Sequence, residues 1–214
     1  MMREIKLVCF DVDGTLVEGN SWLKLTEGLG YSPQEGLDIF LRCQKGEITF
    51  AEGERILTKM YQNSGNANRD FIGRLFDNIK VKNEAIDLIS HLKETGYRVY
   101  LVSGAIDIYV ESVTRKLGVD GFYANSTLEF DNKGVLQKIN YRDNQEEVKV
   151  EQLKALVRKL GINIEQVVFV GDSENNIEVF KATKNGIAVH SSSEELKRVS
   201  WQVVDSLFEI KDIL

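Results

Sequence analysis

Short apolar runs that end in Asp, Ser-Gly or Gly-Asp alternate along this chain with stretches of helical periodicity. Residues 5–10 form one such run and stop at Asp11; residues 98–102 stop at Ser103-Gly104, and residues 166–170 stop at Gly171-Asp172. Residues 186–189 give a shorter fourth example, and 122–124 and 202–204 weaker ones. Continuous apolar runs of this length, rich in β-branched residues, predict strands buried on both faces. Between them, Ala85, Ile89 and Leu92 share one helical face before Gly96. Ile106, Val110, Val113 and Leu117 repeat the pattern before Gly118, as do Val150, Leu153, Val157 and Leu160 before Gly161. Each glycine stands where a left-handed helix terminator is expected. Ser192 with Glu195 reads as a capping box for a last helix.

Strands alternating with helices predict an α/β architecture, a doubly wound, mostly parallel sheet with a Rossmann-like core covered on both faces. Residues 127–139 break the alternation, and Asp131-Asn132-Lys133-Gly134 between two short runs predicts a β-hairpin. Residues 20–80 contain no strand-like run, only helical segments at about 21–29, 34–45, 49–62 and 69–77. Leu23, Leu37, Phe40, Phe50, Leu57, Met60, Phe71 and Leu75 are expected to give this segment a small core of its own. The expected organisation is a catalytic core of residues 1–18 and 79–214, with an inserted helical-bundle cap at 19–78. The cap belongs over the C-terminal edge of the sheet, where ligands of such sheets bind.

Composition narrows the class. The 27 basic against 33 acidic residues leave a formal charge of −6, which argues against a protein that coats nucleic acid. No stretch approaches the ~18 apolar residues of a membrane span. The N-terminal apolar run is too short for a signal peptide and lacks a small-residue cleavage site, so a cytoplasmic protein is expected. Cys9 and Cys43 are too few for a disulfide scaffold or a four-cysteine zinc site and are predicted to be core residues.

The informative polar residues cluster at the predicted strand ends: Asp11-Val12-Asp13-Gly14-Thr15, Ser103-Gly104 and Gly171-Asp172, with Lys149 near the start of a helix. In a parallel sheet these ends meet along one edge. Asp11, Asp13 and Asp172 would then repel one another unless a cation offsets their charge. Mg²⁺ suits such a site, since it takes one or two carboxylates together with waters and phosphate oxygens. Ser103, Lys149 and the backbone N–H groups of Gly14, Thr15 and Gly104 could hold the remaining phosphate oxygens. Asp11 could attack phosphorus, and Asp13, two residues on and on the same side of the backbone, could serve as acid and base. A calcium loop would need Gly and Glu where Leu16 and Trp22 stand. There is no G-x-S-x-G elbow or G-x-x-x-x-G-K-[ST] loop, and the only histidines are His91 and His190.

With DVDGT (11–15), VSGAID (102–107), Lys149 and GDSENN (171–176) in this order, the sequence resembles the haloacid dehalogenase superfamily of phosphohydrolases, in particular its phosphoserine-phosphatase-like group. The resemblance implies that Asp11 is nucleophile and Mg²⁺ ligand, and that Asp13 is the general acid/base and offers its backbone carbonyl to the metal. It further implies that Asp172 is a third ligand, that Ser103, Gly104 and Lys149 bind the phosphoryl group, and that Asn175 lines the site. Two departures stand out. The fourth motif, which usually ends in Asn-Asp, reads Asn175-Asn176, which implies weakened metal support. Asn20 occupies the position of a substrate-binding cap Glu, while Arg55 matches a cap Arg that takes the substrate carboxylate.

The expected activity is Mg²⁺-dependent hydrolysis of a small phosphorylated metabolite, phosphoserine-like, through an aspartyl-phosphate. Transfer to an alcohol acceptor, or phosphometabolite binding with little catalysis, are the alternatives. No nucleic-acid or membrane partner is expected, and the chain is expected to act as a monomer or homodimer. Trp22, near the cap entrance, is expected to pack inside the cap, with stacking on a cationic substrate as its alternative role.

Overall fold

A computed structural model of the chain describes residues 4–214; Met1, Met2 and Arg3, at the start of the expected core segment, lie outside the described residues. All four residues of β1 (Leu7–Phe10) are buried, as the unbroken apolar run requires. β1 pairs in parallel with β2 (Arg98–Ile106) on one side and β5 (Val167–Gly171) on the other. Among the described residues one seven-stranded sheet runs in the order β4-β3-β2-β1-β5-β6-β7. β3 (Gly121–Phe130), β6 (Gly186–Val189) and β7 (Gln202–Val204) are also parallel to their neighbours, and β4 (Leu136–Tyr141) alone is antiparallel. The strand order reverses direction at the β1/β5 boundary. Asp11 and Asp172 follow these two strands, so they flank the crevice where doubly wound sheets bind ligands.

Helices α5 (Asn83–Glu94), α6 (Asp107–Leu117), α7 (Gln145–Leu160), α8 (Ile177–Thr183) and α9 (Glu194–Val199) connect the strands. The glycine terminators Gly118 and Gly161 adopt left-handed φ values of 61° and 66°. Between β1 and α5 lie α1 (Ser21–Gly28), α2 (Pro33–Gln44), α3 (Phe50–Asn63) and α4 (Arg69–Asp77). Capping boxes start α2 at Ser32 and α3 at Thr49. No helix among the described residues is long and apolar enough to cross a membrane.

Several expectations shift. The run at 98–102 continues to Ile106, with a break in register between Ser103 and Ile106, so Ile106 caps α6 instead of starting its apolar face. The weak run at 122–124 and the first arm of the hairpin are one strand, β3, and the turn at 131–134 joins it to β4. The last helix is capped by Ser193, whose hydroxyl accepts from the Leu196 N–H at 3.2 Å, not by Ser192. Three successive serines leave that choice to the register of the helix.

The inserted helices do not form a sealed core from the eight positions named above, none of which is fully buried, and Leu37 is exposed. Leu25, Leu29, Tyr61, Ala67, Ile72 and Phe76 are buried and join one cluster with Val8 and Phe10 of β1, while Ile39 is buried outside it. Cys43 packs instead against Gly53, where a Cβ would lie 2.5 Å from its sulfur, so α2 and α3 touch closely. The β3–β4 hairpin braces this layer: Gln62 Nε2 donates to the Leu136 carbonyl at 2.7 Å, and the Tyr141 N–H donates to Glu54 Oε1 at 2.6 Å.

Candidate active site

Asp11 is held in place by three donors. Its Oδ1 accepts the Val12 N–H at 2.7 Å and the Ser103 hydroxyl at 2.8 Å, and its Oδ2 accepts the Lys149 ammonium at 2.6 Å. Lys149, fully buried on the first turns of α7, also donates to Asn175 Oδ1 at 2.7 Å and Asn176 Oδ1 at 2.8 Å. All three ammonium protons therefore have acceptors, which offsets the cost of burying the charge.

Asp13 Oδ2 accepts both the N–H and the hydroxyl of Ser21 at the start of α1, at 3.1 and 3.0 Å. Its Oδ1 is buried and has no hydrogen-bond partner among the described residues. The buried Tyr109 hydroxyl is near enough that each group perturbs the other, lowering the Asp13 carboxyl and raising the phenol. Burial, and then the negative charge of Asp11, push the Asp13 carboxyl up to about 6 against the restraint of Ser21.

Thr15 donates its hydroxyl to Asp172 Oδ1 at 2.9 Å. Burial and the charge of Asp11 raise the Asp172 carboxyl above its ordinary range. Gly14, at φ +74°, leaves the room Asp172 needs, since a Cβ there would lie 2.1 Å from Asp172 Oδ2. Its expected part in phosphate binding needs correction: the Gly14 N–H is already bonded to the Val17 carbonyl at 2.9 Å, which closes the tight loop after β1.

Asp11, Asp13, Gly14, Ser103, Gly104, Asp172 and Asn175 line one polar cavity of about 250 Å³, together with Asn20. Lys149 and Thr15 lie beneath it, bonded to its carboxylates. Among the described residues no three His, Cys, Asp or Glu side chains are grouped as a chelate. The side chains that could hold a cation are the two mutually repelling carboxylates, Asp11 and Asp172, on the rim of the same polar cavity. This set suits Mg²⁺, which keeps waters and phosphate oxygens in its remaining positions.

The two substrate positions part company. Asn20 caps α1, accepting the Trp22 and Leu23 N–H groups at 2.9 and 3.3 Å, and lines the cavity mouth. Arg55 is turned outward, with its side chain 76 % exposed, and lines neither this cavity nor the one beside it. Its neighbour Glu54 faces inward instead.

Sequence reasoning missed three supporting residues. Lys82 donates to the Gly14 carbonyl at 2.7 Å and pins the loop. Ser21 orients Asp13. Gln145 accepts from Asn175 Nδ2 at 3.3 Å and donates to the Tyr141 hydroxyl at 2.6 Å. The position of Gln145, one helical turn before Lys149 on α7, was the available signal, because residues four apart share a face.

Comparison with known proteins shows the family. The family model for haloacid dehalogenase-like hydrolases matches residues 5–183. The phosphoserine phosphatase of Archaeoglobus fulgidus is 31 % identical over 198 residues, which are 92 % of this chain and 56 % of that protein. The phosphoserine phosphatase of Methanocaldococcus jannaschii is 28 % identical over 214 residues, 100 % of this chain and 98 % of its relative. A solved structure of a phospho-aspartyl intermediate analogue of phosphoserine phosphatase superposes with a TM-score of 0.73 at 26 % identity, covering 99 % of both chains. A substrate-bound phosphoserine phosphatase complex gives 0.74 at 27 %, covering 98 % of both. The chain belongs to the haloacid dehalogenase-like hydrolases.

Proposed function

We propose that the chain hydrolyses small phosphate monoesters in two steps at Asp11. The observation that carries this reading is the Asp11 carboxylate, buried between Ser103 and Lys149 and aimed into a cavity it shares with Asp13 and Asp172. In the first step an Asp11 oxygen bonds to phosphorus while the ester oxygen leaves with a proton from Asp13. In the second, Asp13 takes a proton from water, whose oxygen attacks phosphorus and frees phosphate and the Asp11 carboxylate. An acid pushed up to about 6 can serve in both directions near neutral pH. The N–H groups of Thr15 and Gly104 are proposed as donors for the phosphoryl oxygens; Lys149 and Ser103, bonded to the Asp11 carboxylate in the resting site, would turn a proton each to the phosphoryl group once Asp11 loses its charge in bonding to phosphorus. Mg²⁺, held by Asp11, Asp172 and the Asp13 carbonyl, would act as a Lewis acid on those oxygens.

The names of the relatives support the phosphomonoesterase reading. The orientation of Arg55 gives no support to a carboxylate grip from the cap, so the proposal names the reaction without fixing the leaving group. Turnover of p-nitrophenyl phosphate in Mg²⁺ tests it. Asp11→Asn is expected to reduce the rate at least about a thousandfold while the protein stays folded by circular dichroism. Wild-type turnover in that variant would refute covalent catalysis at Asp11.

A further inference from the structure

Beside the polar cavity lies a second one of about 200 Å³, enclosed by α1, α2, α3 and the end of β4. Asn20, Trp22 and Gln145 line both cavities and form the neck between them. An ester whose phosphorus sits at Asp11 has this neck as a route for its leaving group. The chemistry of the second cavity therefore bears on which alcohols are released.

Its walls are aromatic. Tyr141 stacks on Phe50 at 5.6 Å between ring centroids and meets Trp22 and Phe40 edge-on at 6.3 Å each. Glu54 is the one charged side chain in the lining. Its Oε1 accepts the Tyr141 N–H at 2.6 Å, and among the described residues no donor reaches Oε2. Most of the other polar atoms are already engaged: Asn20 Oδ1, at the neck, accepts the Trp22 and Leu23 N–H groups. The Thr26 hydroxyl is bonded to the Trp22 carbonyl and the Tyr61 hydroxyl at 2.8 Å each, and the Gln145 amide holds the Tyr141 hydroxyl.

We propose that this cavity seats a quaternary ammonium group, so that the preferred substrates are phosphate monoesters of alcohols carrying a fixed positive charge. The inference rests on the phosphomonoesterase reading and extends it to the substrate class. Aromatic faces carry negative charge density and attract cations, most strongly where water is excluded. Glu54 supplies the matching full charge. A primary ammonium would bring three N–H donors to a lining with one free carboxylate oxygen, whereas a quaternary ammonium brings charge without a donor to satisfy. A leaving group with a carboxylate would meet Glu54 and no cation, because Arg55 faces solvent.

The test compares kcat/KM for phosphocholine, phosphoserine and 3,3-dimethylbutyl phosphate, the uncharged isostere of phosphocholine, with p-nitrophenyl phosphate as the general substrate. Phosphocholine is expected to exceed both of the others by at least about tenfold. Glu54→Gln, which keeps an acceptor for the Tyr141 N–H, is expected to bring the phosphocholine-to-isostere ratio toward one. A preference for phosphoserine, or a ratio unmoved by Glu54→Gln, would overturn the proposal while leaving the phosphatase reading intact.

Binding gives a readout independent of turnover. In a Trp201→Phe background Trp22 is the remaining tryptophan of two. Its fluorescence is expected to respond to phosphocholine at about tenfold lower concentration than to the isostere. Equal response to the two ligands would also refute the proposal. Loss of p-nitrophenyl phosphate turnover alongside preferential phosphocholine binding would instead refute the reaction and support the ammonium site.

Discussion

The Lys149 ammonium donates to the side-chain carbonyl of Asn176 at 2.8 Å, the position where the fourth motif of the family usually carries an aspartate. Asn176 is fully buried, and its Nδ2 is bonded to the Ser173 carbonyl at 3.0 Å. An amide there satisfies the geometry of Lys149 without neutralising it. Among the described residues, Asp11 is left as the one anion in ion-pair contact with that ammonium.

Restoring a charge at this position is therefore expected to favour a divalent cation, by screening Lys149 from it. Asn176→Asp should lower the Mg²⁺ concentration for half-maximal activity several-fold, a change on the order of 1 kcal/mol. Titration of activity against Mg²⁺ reads this directly. An unchanged or raised midpoint would mean that the charge at position 176 does not govern metal affinity.

Gly14 and Gly65 separate backbone strain from steric clash. Both have positive φ, +74° and +75°, but a Cβ at Gly65 would meet nothing within 4 Å, whereas one at Gly14 would collide with Asp172. Gly65→Ala should cost about 1 kcal/mol from its backbone conformation alone. Gly14→Ala should cost at least about 1 kcal/mol more in urea unfolding and should also lose activity. Equal costs with activity retained in both would show that Asp172 has freedom to move aside.

The raised carboxyls predict a pH-dependent stability in metal-free protein. Asp13, pushed up to about 6, binds a proton more readily folded than unfolded, as does Asp172. The stability each contributes is complete below its unfolded-state carboxyl value; that of Asp13 is lost as pH rises through about 6, and that of Asp172 as pH rises through its own raised value. In chelator, Tm is expected to fall by about 5 °C between pH 5 and pH 7.5, and Asp13→Asn should flatten that slope. A Tm that rises over this interval, with the same slope in the variant, would contradict the burial described for Asp13.

Much of the site was legible in the sequence because strand ends are strongly signalled. Asp11 and Asp172 follow apolar runs, and a parallel sheet must align such ends along one edge. Ser103 and Lys149 were legible for a related reason: phosphate chemistry needs donors of those types near the carboxylates. The N–H direction of Gly14 was not legible, since it depends on the closure of the loop onto Val17.

The inserted helices resisted reading for a different reason. Adjacent helical residues point about 100° apart, so the orientation of Glu54 relative to Arg55 is decided by packing. Here the Tyr141 N–H at the end of β4 holds Glu54 inward, a contact between residues 87 apart. The apolar positions of the same helices suggested a filled core, but Phe40, Phe50 and Leu57 line a cavity and remain half-buried. Hydrophobic periodicity shows which face of a helix is apolar, not whether that face meets protein or a ligand.

The most direct measurement is chemical trapping of the covalent intermediate. Protein turning over a phosphate monoester in Mg²⁺ would be acid-quenched and reduced with borohydride, which converts an aspartyl-phosphate to homoserine, and then mapped by peptide mass spectrometry. The account predicts homoserine at position 11 alone, absent without substrate. Homoserine at another aspartate, or steady turnover with no trapped residue, would contradict it.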